Sequence, residues 1–216
     1  MKAFITLSIF TVLLCLNGDG QTNVKETFSE FPNKITVPLV ENCQIKTDGL
    51  FPESEWKGAL KLKISEDFEI LFLADNENLF IGLKYAGKVA DYNEPLDCLT
   101  EVYISVNSTE FYNLHSSARL AEGLNKFSSG LKQAKYSLEE VNGWEANFGS
   151  HVRENNTNCK GNEYKISFSK IKSQTLKIAC NIFAVNFSFR ESAKLPVKYS
   201  FENSDNWVEL VLPNNK

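Results

Sequence analysis

The sequence predicts an all-β fold, an antiparallel β-sandwich of immunoglobulin-like or jelly-roll-like build. Short apolar or alternating runs of strand length recur along the chain, and Asn-, Asp-, Gly- and Ser-containing turn signals separate them. Helical periodicity is weak throughout; its best candidate, residues 131–141, offers about three turns. The composition supports a packed core, with 43% hydrophobic and 12% aromatic residues among 216 and a net charge of -4. That balance excludes a disordered acidic chain or a collagen-like array. A pI near 5.4 leaves no basic footprint for phosphates, so no nucleic-acid partner is expected.

Taken in order, Met1-Lys2 supplies a positive start and residues 3–16 are almost continuously apolar. Gly18, Asp19 and Gly20 follow as a small, polar cleavage region, so residues 1–20 read as a signal peptide cut before Gln21. Residues 21–40 read as an N-terminal extended arm or lead-in strand, and residues 41–216 as one β-sandwich domain. After the signal no apolar run approaches the ~18 residues of a membrane span. The expectation is a secreted, periplasmic or cell-surface protein with no membrane span.

Residues 68–74 (Phe-Glu-Ile-Leu-Phe-Leu-Ala) and 79–85 (Leu-Phe-Ile-Gly-Leu-Lys-Tyr) flank the turn tetrad Asp75-Asn76-Glu77-Asn78. They predict a hairpin that is apolar on both faces and therefore central in its sheet. Val102, Ile104 and Val106 alternate with Glu101, Tyr103 and Ser105, as Tyr164, Ile166 and Phe168 do with Lys165, Ser167 and Ser169. Residues 176–189 form a long aromatic and β-branched stretch, and residues 207–212 close the chain as a strand. A hairpin over 164–187, turning near Ser173-Gln174, follows from two of these runs. Residues 107–160 are the most polar part and read as binding loops.

The four cysteines beyond the signal, Cys43, Cys98, Cys159 and Cys180, permit disulfides in an exported chain, with three possible pairings. The predicted 164–187 hairpin would hold Cys159 and Cys180 too far apart, so that pairing is the least expected. Their spacing fits no CxxC zinc pattern, and buried thiols are the alternative.

Catalytic motifs are absent: the chain has no GxSxG elbow, HExxH pair, phosphate-binding loop or GxGxxG turn. His115 and His151 read as solvated loop residues, and the pairs Glu53/Glu55 and Glu139/Glu140 as solvated faces. If the chain has any enzymatic activity, its abundant carboxylates suit hydrolysis of glycosidic bonds. Trp56 and Trp207 read as core, whereas Trp144 is either a stacking platform or a loop anchor. Asn107-Ser108-Thr109, Asn155-Asn156-Thr157 and Asn186-Phe187-Ser188 are formal glycosylation sequons, the last inside a predicted strand.

The order of segments resembles the family 9 carbohydrate-binding modules and their DOMON-like relatives over roughly residues 41–212. Ile45-Lys46-Thr47-Asp48-Gly49 with Glu55-Trp56-Lys57-Gly58-Ala59 resembles the family's opening signature, and Asp75-Asn76-Glu77-Asn78-Leu79-Phe80-Ile81 its hairpin. Leu99-Thr100-Glu101-Val102-Tyr103-Ile104, Gly161-Asn162-Glu163-Tyr164, Cys180-Asn181-Ile182 and Asn206-Trp207-Val208-Glu209-Leu210 stand where the family has further strands. The resemblance implies a sandwich that holds a sugar between two tryptophans, helped by charged and amide groups. Glu101 matches the family's strand acid. Tyr92 and Phe201 stand nearest the two tryptophan positions, and Tyr112 stands near its arginine. The expected binding residues are therefore Tyr92, Tyr112 and Phe201 as platforms and Glu101 as hydroxyl acceptor. No cofactor is expected, with calcium as the structural ion that relatives use.

Two readings follow. One is an exported, non-catalytic carbohydrate-binding module, accessory to polysaccharide degradation, whose partner is a carbohydrate. The other is a structural or protein-interaction sandwich that has lost the sugar site.

Overall fold

The computed structural model describes residues 31–41, 43–105, 107–127, 135–137, 141–150 and 159–213. They build a β-sandwich of an eight-stranded and a five-stranded sheet. The five-stranded sheet runs β2 (Leu60–Lys63), β3 (Phe68–Ala74), β4 (Asn78–Tyr85), β10 (Gly161–Ser167), β9 (Trp144–Ala146). The eight-stranded sheet runs β1 (Lys34–Thr36), β13 (Val208–Val211), β11 (Thr175–Val185), β5 (Asp97–Ser105), β6 (Glu110–Ser116), β7 (Leu120–Lys126), β8 (Lys135–Ser137). β12 (Arg190–Leu195) also pairs with β11, so β12 and β13 share one edge of that long strand. Pairing between named strands is antiparallel except for β1 beside β13, where the lead-in segment joins the sheet edge. No helix among the described residues is long and apolar enough to cross a membrane.

The predicted hairpin is β3–β4, and it occupies the middle of its sheet. Ile70, Phe72, Leu79, Ile81 and Leu83 face the inter-sheet core, while Leu71, Leu73 and Phe80 pack on the opposite side against Ile45, Phe51 and Trp56. Residues 45–59 thus cap the outer face of the sheet, which explains why both strands read as continuous apolar runs. Gly82 makes the cap's close approach possible, since a Cβ there would meet Phe51 at 2.6 Å and Trp56 at 3.0 Å. Trp207 is buried, as expected.

One carboxylate holds this cap. Glu163 on β10 is fully buried. It accepts from Trp56 Nε1 at 2.7 Å and from the backbone amides of Gly49 at 2.7 Å and Asp48 at 3.1 Å. A polar bridge joins the two sheets beside it. Asn162 donates to Ser116 Oγ at 2.8 Å and accepts from Thr100, whose hydroxyl also meets Tyr164 Oη at 2.6 Å. Such groups stabilise a core when every member is satisfied.

Several expectations are corrected. β10 and β11 are not a hairpin: β10 ends at Ser167, and the short α2 (Phe168–Ile171) carries the chain across to the other sheet, α1 being Gly87–Ala90. The geometric argument against Cys159–Cys180 therefore falls, and all four cysteines are free thiols, Cys98 and Cys180 being buried. The 176–189 stretch is broken after Val185 by a turn in which Asn186 Oδ1 accepts from the amides of Ser188 and Phe189. Residues 107–127 are not loops but two strands, because their polar side chains are taken inside: Asn113, Ser116 and Asn125 are buried. The best helical candidate, 131–141, gives way over Lys135–Ser137 to the short strand β8, and its other residues, save Val141, lie outside the described ones, as do His151 and Glu139/Glu140.

Burial outweighs the three donors and pushes the Glu163 carboxyl up to about 7 from 4.5. The folded chain then binds this proton more tightly than the unfolded chain. Its contribution to stability is full below about pH 4.5 and is lost as pH rises through 7, by at most about 3 kcal/mol. Urea unfolding at pH 5 and pH 8 checks this: the wild type loses stability at the higher pH, and Glu163→Gln removes that difference. The variant is also weaker at both pH values, because its amide turns a donor toward the N–H groups it should accept from.

Candidate functional site

Strand alternation sorts the eight-stranded sheet into two faces. On β5 and β11, Cys98, Thr100, Val102 and Ile104, with Ile178, Cys180, Ile182 and Ala184, are buried against the other sheet. The intervening residues therefore point outward. The register sets Glu101 opposite Asn181 on one side and His115 on the other, with Leu99 opposite Phe183.

Those outward groups form a connected polar cluster. Glu101 Oε2 accepts from Tyr103 Oη at 2.5 Å and from Asn181 Nδ2 at 3.0 Å. Tyr199 Oη donates to Asn181 Oδ1 at 2.6 Å. His115 Nδ1 lies 3.9 Å from Glu101 Oε1, and its Nε2 meets Ser117 Oγ at 2.9 Å. Burial holds the Tyr103 and Tyr199 phenols well above their ordinary value, so both remain protonated donors. It pulls the His115 imidazole below its ordinary value, while the Glu101 carboxylate draws it upward more weakly. His115 is thus a half-buried strand residue, not a solvated loop one.

One half of this outward face is covered. Tyr103, Phe111, Phe127 and Trp207 form an aromatic cluster with Tyr199 and Phe201 packed against it. The other half, from Glu101 toward Asp97, carries no such cover among the described residues, and Leu99 and Phe183 are half-exposed there. At its end the β11–β12 turn and residues 94–97 enclose an open groove of about 460 Å³ lined by Glu94, Pro95, Asp97, Val185 and Phe187.

The four residues expected to form the site are not brought together. Glu101 lies at the centre of the polar cluster. Phe201 belongs to the cover: its ring meets Tyr103 at 4.9 Å and stacks on Phe111 at 5.4 Å, which leaves it half-buried. Tyr92 packs against Phe189 at 4.3 Å and its hydroxyl meets Ser188 Oγ at 3.2 Å, so it braces the β11–β12 turn. Tyr112 stands opposite the buried Ile104 and packs on the inter-sheet core, with Lys170 Nζ 4.3 Å over its ring. That is the face away from Glu101. Trp144 is buried, stacked on Tyr164 and bonded to Glu122, and so anchors rather than presents a ring. Asn181, Tyr199 and His115 are the members the sequence reading missed. Only the Asn181 neighbourhood carried a signal, as part of a family-like strand. No group of three or more His, Cys, Asp or Glu among the described residues could hold a metal ion.

No family model matches the sequence, and no curated protein matches it. Among solved structures it is similar to a family 9 carbohydrate-binding module from Caldicellulosiruptor kristjanssonii in complex with cellotriose. The two are 11% identical over 85% of this chain and 95% of that one, with a TM-score of 0.51. A Bacteroides uniformis protein proposed to bind carbohydrate is also 11% identical, over 83% of this chain and 99% of that one, with a TM-score of 0.44. The chain therefore has the fold of a family 9 carbohydrate-binding module.

With two histidines in the chain, proton NMR reads His115 directly once His151 is replaced. The imidazole is expected to titrate below 6.5, and Glu101→Gln to lower its midpoint further by removing the favourable charge. A midpoint that rises in the variant would contradict the arrangement described.

Proposed function

We propose that the chain is an exported, non-catalytic carbohydrate-binding module acting beside polysaccharide-degrading machinery, with the sugar held on the outward face of β5 and β11. The observation that carries this reading is the Glu101 cluster. Oε2 of Glu101 is occupied by Tyr103 and Asn181, which fixes the carboxylate, and Oε1 lies 3.9 Å from His115 Nδ1. A fixed carboxylate oxygen accepts from a sugar hydroxyl without first losing side-chain freedom. Leu99 and Phe183 offer an apolar surface beside it for the C–H face of a ring. The likeness in fold to a module that binds cellotriose supports the ligand class.

Nothing in this arrangement assembles hydrolysis. The groups that meet Glu101 are phenol, amide and imidazole, whereas glycoside cleavage uses two carboxyl groups across the bond. The apolar leader of residues 1–20 supports export.

A glycan array with the purified protein, repeated with chelator, tests the reading. Saturable binding to one glycan class is expected. Glu101→Gln should weaken it by about ten- to a hundredfold, the loss of a charged hydrogen bond, with the unfolding midpoint within a few degrees of wild type. Silence of a folded sample across the array would favour the protein-interaction sandwich instead.

A further inference from the structure

The polar cluster at Glu101 and the groove at the β11–β12 turn lie on one continuous face. Asn181, Phe183 and Val185 on β11 stand opposite Glu101, Leu99 and Asp97 on β5, and all six belong to the outward set. On the other edge of β11, Lys194, Ser192 and Arg190 of β12 stand beside the same three residues and are exposed. Asn181 and Val185 are about 13 Å apart at the rise of an antiparallel strand. The groove extends that line to Phe187, whose side chain is fully exposed.

This strip has an apolar middle and hydrogen-bonding margins. Phe183, Val185 and Phe187 run along its centre on β11 and its turn, with Glu101, Leu99 and Asp97 on the β5 margin and Lys194, Ser192 and Arg190 on the β12 margin. A fully exposed phenylalanine in a turn is costly to solvate and is not required by the turn. Asn186 makes the turn through its own side chain, Tyr92 braces it through Ser188, and Phe187 packs against neither. A linked run of pyranose rings has the complementary character, with C–H faces along its axis and hydroxyls along its edges. A strip about 13 Å long exceeds one ring.

We infer that the strip from Glu101 to Phe187 takes a stretch of several linked sugars lying along β5 and β11, and that Phe187 is a second stacking position remote from the Glu101 cluster. This deepens, and rests on, the carbohydrate-binding reading. Recognition then depends on the length of the glycan and not on its chain end.

Calorimetric titration of the purified protein with gluco-, xylo-, manno- and chito-oligosaccharides of one to six units tests the inference. Each series is also run with the reducing end converted to the alditol. In the series that binds, affinity is expected to rise up to three or four units and to be indifferent to end reduction in the longer members. Phe187→Ala should cancel the gain from length, about three- to tenfold, while leaving disaccharide binding unchanged; Phe187→Tyr should retain it. Binding that is equal for a disaccharide and a hexasaccharide, or that end reduction abolishes, would overturn the inference and leave the carbohydrate reading standing. Absence of binding in all four series, from folded protein, would overturn both.

Discussion

The structure depends on the register in which β11 lies between β5 on one edge and the strands β12 and β13 that share its other edge. Side chains alternate with a period of two, so slipping β11 by one residue against β5 would send Cys180 and Ile182 into solvent while Val102 and Ile104 stayed inside. Burial of those residues against the other sheet fixes the register, and the same choice necessarily places Glu101, Asn181 and His115 together outside. The polar cluster is therefore a consequence of how the core packs. The inter-sheet bridge of Thr100, Asn162, Ser116 and Tyr164 adds direction to that packing, because displaced members would be buried without partners.

The two sheets use their outward faces differently. On the five-stranded sheet the face is closed by residues 45–59, anchored through Trp56 to the buried Glu163. On the eight-stranded sheet an aromatic cover built from Tyr199, Phe201 and Trp207 closes one half, and among the described residues nothing comparable closes the other. The cover also supplies Tyr199 to the cluster, so the segment that hides part of the face orders the polar groups of the rest.

Where burial is two-sided or cleanly alternating, the sequence was easy to read. β3 and β4 are continuous apolar runs, and β5, β10 and β13 alternate. Other elements were hidden for physical reasons. β6 and β7 carry Asn113, Ser116 and Asn125 inside the protein, so composition made them look like loops. β12, Arg-Glu-Ser-Ala-Lys-Leu, covers little of the core and has almost no apolar signal. The turn at Asn186 sits among aromatic residues that favour strands, which concealed both the turn and Phe187. Glu101 was legible because it lies on an alternating strand. Asn181 and Tyr199 reach it from 80 and 98 residues away in sequence, and strand register and the path of the cover alone bring them there. Tyr92 and Tyr112 stand as aromatic residues near family positions in the sequence, but one braces a turn and the other faces the core.

The most direct test of the account is an amide ¹H–¹⁵N correlation spectrum of the protein recorded during titration with a glycan that binds. The account predicts perturbations confined to the outward half-face, at Leu99, Glu101, His115, Asn181 and Phe183 and on to the β11–β12 turn. Perturbations concentrated instead in the 45–59 cap or along β3 and β4, with the β5–β11 face silent, would contradict it.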